Sequence, residues 1–370
     1  MKFTCDKFPL LSALSASARA TVVKSTIPSL EGILLEADND SLKITGYDLK
    51  TGIVTKVSAT VDKAGAIVIN ARLLCEIIRK MPGNDVTISL ISENIVEISS
   101  DISKLEIIGS PMTDYPELPT VEEQEKIEIN SMLLKKMISQ TNFAVSENES
   151  RPIHTGALFE TGEGVLTIVA VDGYRLALRR EEIKEAVPKL SFVVPGAALG
   201  EVERILSDED SNITIMLGSK HIVFKIEETT LISRRLEGDF LNYRNAVPES
   251  AKYRIKVEKS RLISSIDRVS TVISDKLKSP VRCVFEDGVI TLRSASAIGK
   301  ANDECTVEGD GEGLEIGFND KYFMEALRAA PSDEVILELN SGTTPCVITP
   351  SGEVNNFLYM ILPVRLKAEG

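Results

Sequence analysis

The chain predicts an α+β fold used three times in succession, and three observations carry that prediction. One stretch of sequence is written three times: Val68-Ile-Asn-Ala-Arg-Leu-Leu-Cys-Glu-Ile-Ile-Arg-Lys-Met-Pro82 running on to Leu90, Val193 to Leu206 running on to Leu217, and Ile316 to Pro331 running on to Leu339. The copies lie about 125 residues apart. Solenoid repeats have periods of roughly 20–50 residues, so the repeating unit here is a whole domain. Finally, 370 residues suffice for two or three cores at about 100–200 residues per domain.

Each copy reads as a short apolar strand, a cap-like residue (Asn70, Pro195 or Asn319), a helix-period segment, a polar turn and an alternating strand. Earlier in each unit a strand-like stretch (Lys2 to Cys5, Lys126 to Ile129, Tyr253 to Val257) leads into a second helix pattern. Its apolar stripe is Leu10, Leu11 and Leu14 in the first unit. In the second it is Leu133, Leu134, Met137 and Ile138, and in the third Leu262, Ile263 and Ile266. Ser41 to Thr45, Gly164 to Ala170 and Gly288 to Arg293 are β-branched and alternating, the mark of half-buried sheet. Two helices and roughly eight strands per unit indicate helices on antiparallel sheet rather than parallel βαβ units. Proline and acidic residues gather at Ser110 to Pro119, Glu122 to Glu125 and Gly238 to Pro248, which sets domains at 1–120, 126–245 and 253–370. The glycine-rich run Glu308 to Gly317 reads as a hairpin loop.

An apolar fraction of 43% and a charged fraction of 26% are ordinary for a globular protein. No run of about 18 apolar residues predicts a membrane span. Pro9 to Ala18 is mildly apolar and ends in small residues, but its leucine stripe recurs inside the chain, which argues against a signal sequence. Five cysteines, Cys5, Cys75, Cys283, Cys305 and Cys346, are scattered without metal-ligand spacing, which predicts reduced thiols in a cytoplasmic protein and no metal. His154 and His221 are isolated, and there is neither a nucleophile elbow nor a phosphate-cradling loop. The expectation is a binding protein rather than an enzyme, with no cofactor.

A net charge of −13 argues against nucleic acid until it is divided by element. The six helical segments expected at 7–24, 71–81, 131–146, 197–207, 259–278 and 320–330 hold 16 Lys and Arg against 7 Asp and Glu, and the remainder holds 26 against 48. Acidic strands and loops serve solubility on one reading. On the other, the helices share a face for a polyanion whose phosphates attract cations without base contacts. Lys7, Arg19, Lys24, Arg72, Arg79, Lys80, Lys135, Lys136, Arg204, Arg261, Arg268, Lys276 and Arg328 would form it.

Three runs then point to one family. Phe159 to Leu178, which contains Asp172-Gly-Tyr-Arg-Leu176, the linker Pro111 to Pro119, and the tail Tyr359 to Leu366 resemble the bacterial DNA polymerase III beta subunits, the sliding clamps. The likeness spans essentially the whole chain. It implies three DNA-clamp domains, each two helices on antiparallel sheet, forming half of a closed ring. It further implies a homodimer around double-stranded DNA that tethers DNA polymerase for processivity, without a catalytic site. The clamp loader and repair proteins would share the polymerase's docking site.

By the same resemblance Lys24 and the loop Asn148 to Ile153, with Pro152 and Ile153, fall at DNA contacts. A pocket for short partner peptides falls at His154, Val171, Gly173, Tyr174, Arg175, Leu176, Leu241, Tyr322, Pro345, Met360, Leu362, Pro363, Val364 and Arg365. Apolar walls with a few fixed polar groups suit peptide anchoring; read without the family, Leu176, Leu362 and Val364 are plain core. Leu105 and Ile107, with Val272 and Ile273, fall at the two sides of the dimer seam. The chain departs from the family pattern at Leu241 and Asn245, at Pro152 and Ile153, where some members carry aromatics, and in the extension Lys367 to Gly370.

Overall fold

The first repeat runs β1 (Lys2–Asp6), α1 (Lys7–Ala18), β2 (Gly32–Asp38), β3 (Ser41–Tyr47), β4 (Thr51–Ser58), β5 (Thr60–Lys63), β6 (Gly65–Asn70), α2 (Ala71–Lys80), β7 (Asp85–Leu90), β8 (Ile95–Ser100) and β9 (Ser103–Ile108). The second runs β10 (Glu125–Asn130), α3 (Ser131–Ser139), β11 (Gly156–Gly162), β12 (Val165–Val171), β13 (Arg175–Glu182), β14 (Leu190–Pro195), α4 (Gly196–Ile205), β15 (Asn212–Leu217), β16 (His221–Ile226) and β17 (Thr229–Arg234). The third runs β18 (Tyr253–Glu258), α5 (Lys259–Ser270), β19 (Val281–Glu286), β20 (Val289–Ser296), β21 (Gly299–Thr306), β22 (Leu314–Phe318), α6 (Asp320–Ala329), β23 (Glu334–Leu339), β24 (Cys346–Pro350) and β25 (Phe357–Ile361). This is a computed structural model, and it describes residues 1–122, 125–183, 187–273, 279–352 and 355–366.

Local chemistry starts and stops the helices. Asn70, Asn130 and Asn319 each accept the N–H three residues on at 3.0, 3.0 and 3.1 Å, and Asp6 accepts that of Phe8 at 2.9 Å, which satisfies orphan donors of the first turn. Pro195 occupies the corresponding position before α4, where a proline side chain offers no acceptor.

The first helix of every repeat is shorter than its apolar pattern suggests. The Thr21 hydroxyl donates to Ala18 O at 2.7 Å, Thr141 to Met137 O at 2.7 Å and Thr271 to Arg268 O at 2.8 Å. A threonine hydroxyl thus takes a carbonyl that a longer helix would use. In each repeat the first residue of the first helix also binds the end of the second. Lys7 Nζ donates to Met81 O, Ser131 Oγ to Ser207 O at 3.2 Å, and Lys259 Nζ to Ala330 O at 2.7 Å.

The chain forms two compact units, Met1–Leu134 with Gly200–Arg235, and Lys135–Leu199 with Leu236–Gly370. The first contains a five-stranded sheet, β5-β1-β7-β8-β9, and an eight-stranded one, β10-β15-β16-β17-β4-β3-β2-β6. The second contains an eight-stranded sheet, β14-β11-β12-β13-β25-β24-β23-β18, and a four-stranded one, β21-β20-β19-β22. Each eight-stranded sheet joins four strands of one repeat to four of the next, at β17–β4 (Leu231 opposite Ile53) and at β25–β13 (Tyr359 opposite Ala177). All these pairings are antiparallel.

A smaller mark of the repeat is a single bridge after each last strand. Ser110 pairs with Val68, Leu236 with Val193 and Val364 with Gly317. The loop Val307 to Gly313 is not the hairpin expected from its glycines. It crosses from β21, at one edge of its sheet, to β22 at the other, and Glu308 bridges Lys256 on the way.

In the first unit α1 and α2 pack on both sheets around Phe3, Leu10, Leu14, Ile33, Leu35, Leu74, Ile78 and Ile88. Leu34, one residue out of phase with Ile33 and Leu35, faces the opposite side, where Tyr115 and Leu118 of the linker cover it with Tyr47 and Val68. The second unit repeats this device. Leu158, Val169, Leu176, Val193, Val347 and Met360 form an apolar sheet face that Phe240 and Tyr243 cover.

Candidate partner pocket and basic helix face

The pocket begins with a turn. Asp172 Oδ1 accepts the N–H groups of Tyr174 and Arg175 at 2.8 and 3.0 Å, and Gly173 between them has φ +93°, a left-handed backbone that glycine adopts without strain. The turn carries Tyr174 into solvent and returns Arg175 to the sheet, where it is 8% exposed. Its guanidinium meets Asp172 Oδ2 at 2.9 Å, Glu325, and Phe143 O at 2.6 Å. It also lies 4.4 Å from the Tyr322 ring centre, within cation–π range. Arg175 therefore fixes α6 and the segment after α3 to the start of β13. The Tyr174 and Tyr322 rings stack at 6.2 Å, and Leu362 N–H donates to Tyr174 O at 2.8 Å. Burial, followed by the charge of Asp172, raises the Tyr322 phenol above its ordinary value, so it remains a neutral donor.

On the sheet Leu176 lies opposite Met360, and Met360 opposite Val347; with Val171 they are a buried floor. Leu362 and Leu241 are exposed, Pro345, Pro363 and Val364 half-buried, and Arg365 exposed. The Val364 N–H is tied to Gly317 O at 2.8 Å. His154 meets Phe240 edge to face at 5.6 Å. Its burial, reinforced by Arg151, lowers the imidazole below its ordinary value and keeps it uncharged at neutral pH. Of the three residues that an apolar reading takes as plain core, Leu176 is core, Val364 is half-buried and Leu362 is exposed; Met360 joins Leu176 in the core, and Tyr174 and Leu362 supply open apolar surface beside them. Three residues that position Arg175 were not singled out from sequence. Asp172 was visible in the Asp-Gly turn; Phe143 and Glu325 gave no local signal.

The helices are less basic than the sequence suggested. The six helices, as they end here, hold 12 Lys and Arg against 6 Asp and Glu, so the excess survives. Several members are already engaged. Lys7 is spent on Met81 O, Lys80 pairs with Glu76 at 2.7 Å, Arg204 pairs with Glu201, Arg261 with Glu258 at 2.6 Å, and Arg268 with Asp303. Arg19 lies 3.8 Å from Glu201. Lys24, Arg72, Arg79, Lys136 and Arg328 are exposed and form no salt bridge among the described residues, although, beside Lys80, Arg72 and Arg79 lie close enough to Glu76 to add to the lowering of its carboxyl. Lys24 sits in the loop after α1 rather than on the helix, and Lys135 on α3 is half-buried.

Arg72, Arg79 and Lys80 border a groove of about 460 Å³ between α1 and α2. In the second unit Asn148 Oδ1 accepts the Ser150 N–H at 2.9 Å, which shapes the loop; Pro152 is exposed and Ile153 half-buried beneath it. Leu105 is 40% exposed on edge strand β9, where Ile107 is half-buried, and Val272 and Ile273 follow α5, half-buried. Lys276 and Lys367 to Gly370 lie outside the described residues. No cluster able to hold a metal occurs among the described residues, nor any helix long and apolar enough to cross a membrane.

Three α+β repeats of this kind define a class, and comparison with known proteins names it. Residues 1–119, 128–242 and 244–365 match the N-terminal, central and C-terminal domains of the DNA polymerase III beta subunit. The chain belongs to this family. It is 31% identical to the beta sliding clamp of Staphylococcus aureus, with 99% of each chain covered. The DNA polymerase sliding clamp of Bacillus subtilis superposes with a TM-score of 0.94 at 30% identity, over 99% of this chain and all of that one. The DNA polymerase III beta subunit of Thermotoga maritima gives 0.92 at 27% identity, with 99% and 100% covered.

Proposed function

We propose that two copies of this chain close head to tail around duplex DNA and tether the replicative polymerase, as a cytoplasmic processivity factor without chemistry of its own. Its three domains would be 1–120, 126–245 and 253–370. The observation that carries this reading is a missing junction. The last strand of the second repeat pairs with β4 of the first, and the last strand of the third pairs with β13 of the second. By the same rule the last strand of the first repeat, β9, should pair with β21. Both are sheet edges in this chain.

The single bridges support one register for this junction. Counting back equally from Ser110, Leu236 and Val364, Leu105 corresponds to Leu231 and Tyr359, both fully buried. Its partner, corresponding to Ile53 and Ala177, is Ala301. Leu105 is 40% exposed, and an apolar side chain on an open edge is an aggregation hazard unless another chain covers it. A heterologous contact of this kind closes into a ring or runs on as a filament. The exposed cations Lys24, Arg72, Arg79, Lys136 and Arg328, which form no salt bridge among the described residues, support a phosphate-facing surface. The open apolar surface of Leu241 and Leu362 supports docking of short peptides from polymerase, clamp loader and repair proteins.

The test joins register to topology. Residues directly opposite in an antiparallel pair have Cα atoms about 4.5–5.5 Å apart, within disulfide reach. The double variant Leu105→Cys, Ala301→Cys should therefore cross-link into dimers that stay on nicked circular DNA after loading and run off once it is linearised. Monomers after oxidation, or equal loss from both DNA forms, would overturn the reading.

A further inference from the structure

A groove of about 810 Å³ lies on the same sheet face as the Leu176–Met360 pair and beyond it. Leu178 and Leu358 stand opposite each other two residues along from Leu176 and Met360. Side chains repeat on one face every second residue, so this pair continues the floor by about 7 Å. Both are half-buried and line the groove. One step further the face turns polar: Glu160, Thr167 and Arg180 follow one another across β11, β12 and β13. Glu160 is already satisfied. Its Oε2 accepts the Tyr243 hydroxyl at 2.6 Å and the Arg244 guanidinium at 2.8 Å. Arg180 and Lys189, also in the lining, are exposed and have no carboxylate partner among the described residues. Among the described residues the lining carries three cations and two carboxylates, Glu160 and Glu163, in a chain of net charge −13.

We infer that this groove receives the segment of a partner peptide that flanks its apolar anchors, and that Arg180 and Lys189 select carboxylates in that flank. The inference rests on the pocket reading for its occupant. Rim charges of this kind act through solvent and tune which partner binds more than how tightly any partner binds.

Fluorescence anisotropy with the full chain tests it. The probes are a polymerase-derived anchor peptide alone, the same peptide with three glutamates added at one end or the other, and both with three lysines instead. At low ionic strength one glutamate-flanked peptide should bind about fivefold tighter than the anchor alone, and that gain should fade in high salt. The double variant Arg180→Glu, Lys189→Glu should erase the gain while leaving affinity for the anchor peptide unchanged. Equal affinities for all flanks, or a gain that survives the charge reversal, would overturn the inference. Leu362→Ala separates the two readings. If it leaves anchor affinity intact while the glutamate gain remains dependent on Arg180 and Lys189, the pocket assignment fails and the groove stands. If no peptide binds, both fall.

Discussion

The turns Asp48–Thr51 in the first repeat and Asp172–Arg175 in the second share a backbone and differ in what it carries. Asp48 Oδ1 accepts the N–H groups of Lys50 and Thr51 at 2.8 and 2.6 Å, as Asp172 does for Tyr174 and Arg175. Leu49 at φ +72° stands where Gly173 stands at +93°. After the turn, Gly52 lies opposite Tyr47 as Leu176 lies opposite Val171. In the first repeat the linker fills the space over Gly52; a Cβ there would overlap Leu118 Cδ2. In the second, Leu176 fills that position itself and apolar surface stays open beside it. The fold thus supplies the same turn and strand pair twice. Whether the surface beside it is covered by the chain's own linker or left open depends on a few side chains.

Arg175 is where the two turns should differ most under mutation. Arg175→Ala strips Asp172, Glu325 and the Phe143 carbonyl of a buried cation and should cost about 3–5 kcal/mol, whereas Thr51→Ala at the matching position should stay within about 1 kcal/mol. Thermal melts by circular dichroism would measure both; equal small shifts would mean that Arg175 is not the link between its neighbours. Leu118→Ala comes next. Leu118 is half-buried over Gly52 and Tyr47, so its loss should cost about 2 kcal/mol, the low end for large-to-small apolar changes. It should also bare a groove in the first repeat, detectable as new weak binding of the anchor peptide. Unchanged stability would remove the linker from its role as occupant.

Much of what the two turns share is legible in the sequence. The repeated strand, cap and helix could be read because Asn70, Asn319, Leu74 and Ile78 act locally, and the Asp-Gly turn announces itself. The sequence makes the helices look longer than they are because Val22, Val23, Phe143 and Val145 prolong the apolar pattern, while the stop comes from the hydroxyls of Thr21 and Thr141. The Arg175 cluster could not be read. Its partners Phe143 and Glu325 lie 32 and 150 residues away, and nothing in either local sequence marks a contact at that range. The fate of Lys7, bound to Met81 O 74 residues on, is hidden for the same reason, whereas Arg204 pairs with Glu201 three residues before it on one helix, a spacing that sequence does show. Charge can be counted from sequence, but its partner across the fold cannot.

The turn residues themselves offer a smaller effect of opposite sign in the two repeats. Gly173→Ala places a Cβ in a left-handed backbone and should cost about 1 kcal/mol although no atom lies within 4 Å of it. Leu49→Gly relieves that strain and should gain up to about 1 kcal/mol, less what the freer unfolded chain takes back. Melting shifts of the same sign would show that the two turns are not the same backbone.

The smallest expected difference is a dependence on pH. His154 follows Pro152 and Ile153 as Leu30 follows Pro28 and Ser29, and Leu30 is 2% exposed. Burial, then Arg151, holds the folded-state pKa of His154 below the ordinary 6.5, so the unfolded chain binds the proton more readily. The resulting stability is complete above about pH 6.5 and drains as pH falls through that value toward the lower folded one. His221 is lowered too, by burial and then by Arg234 and Lys220, so it keeps part of the slope. His154→Leu, which installs the first repeat's residue, should flatten melting temperature against pH between about 7 and 5 without abolishing the trend. A slope unchanged in that variant would show that the imidazole in the second repeat is as indifferent to protons as the leucine it replaces.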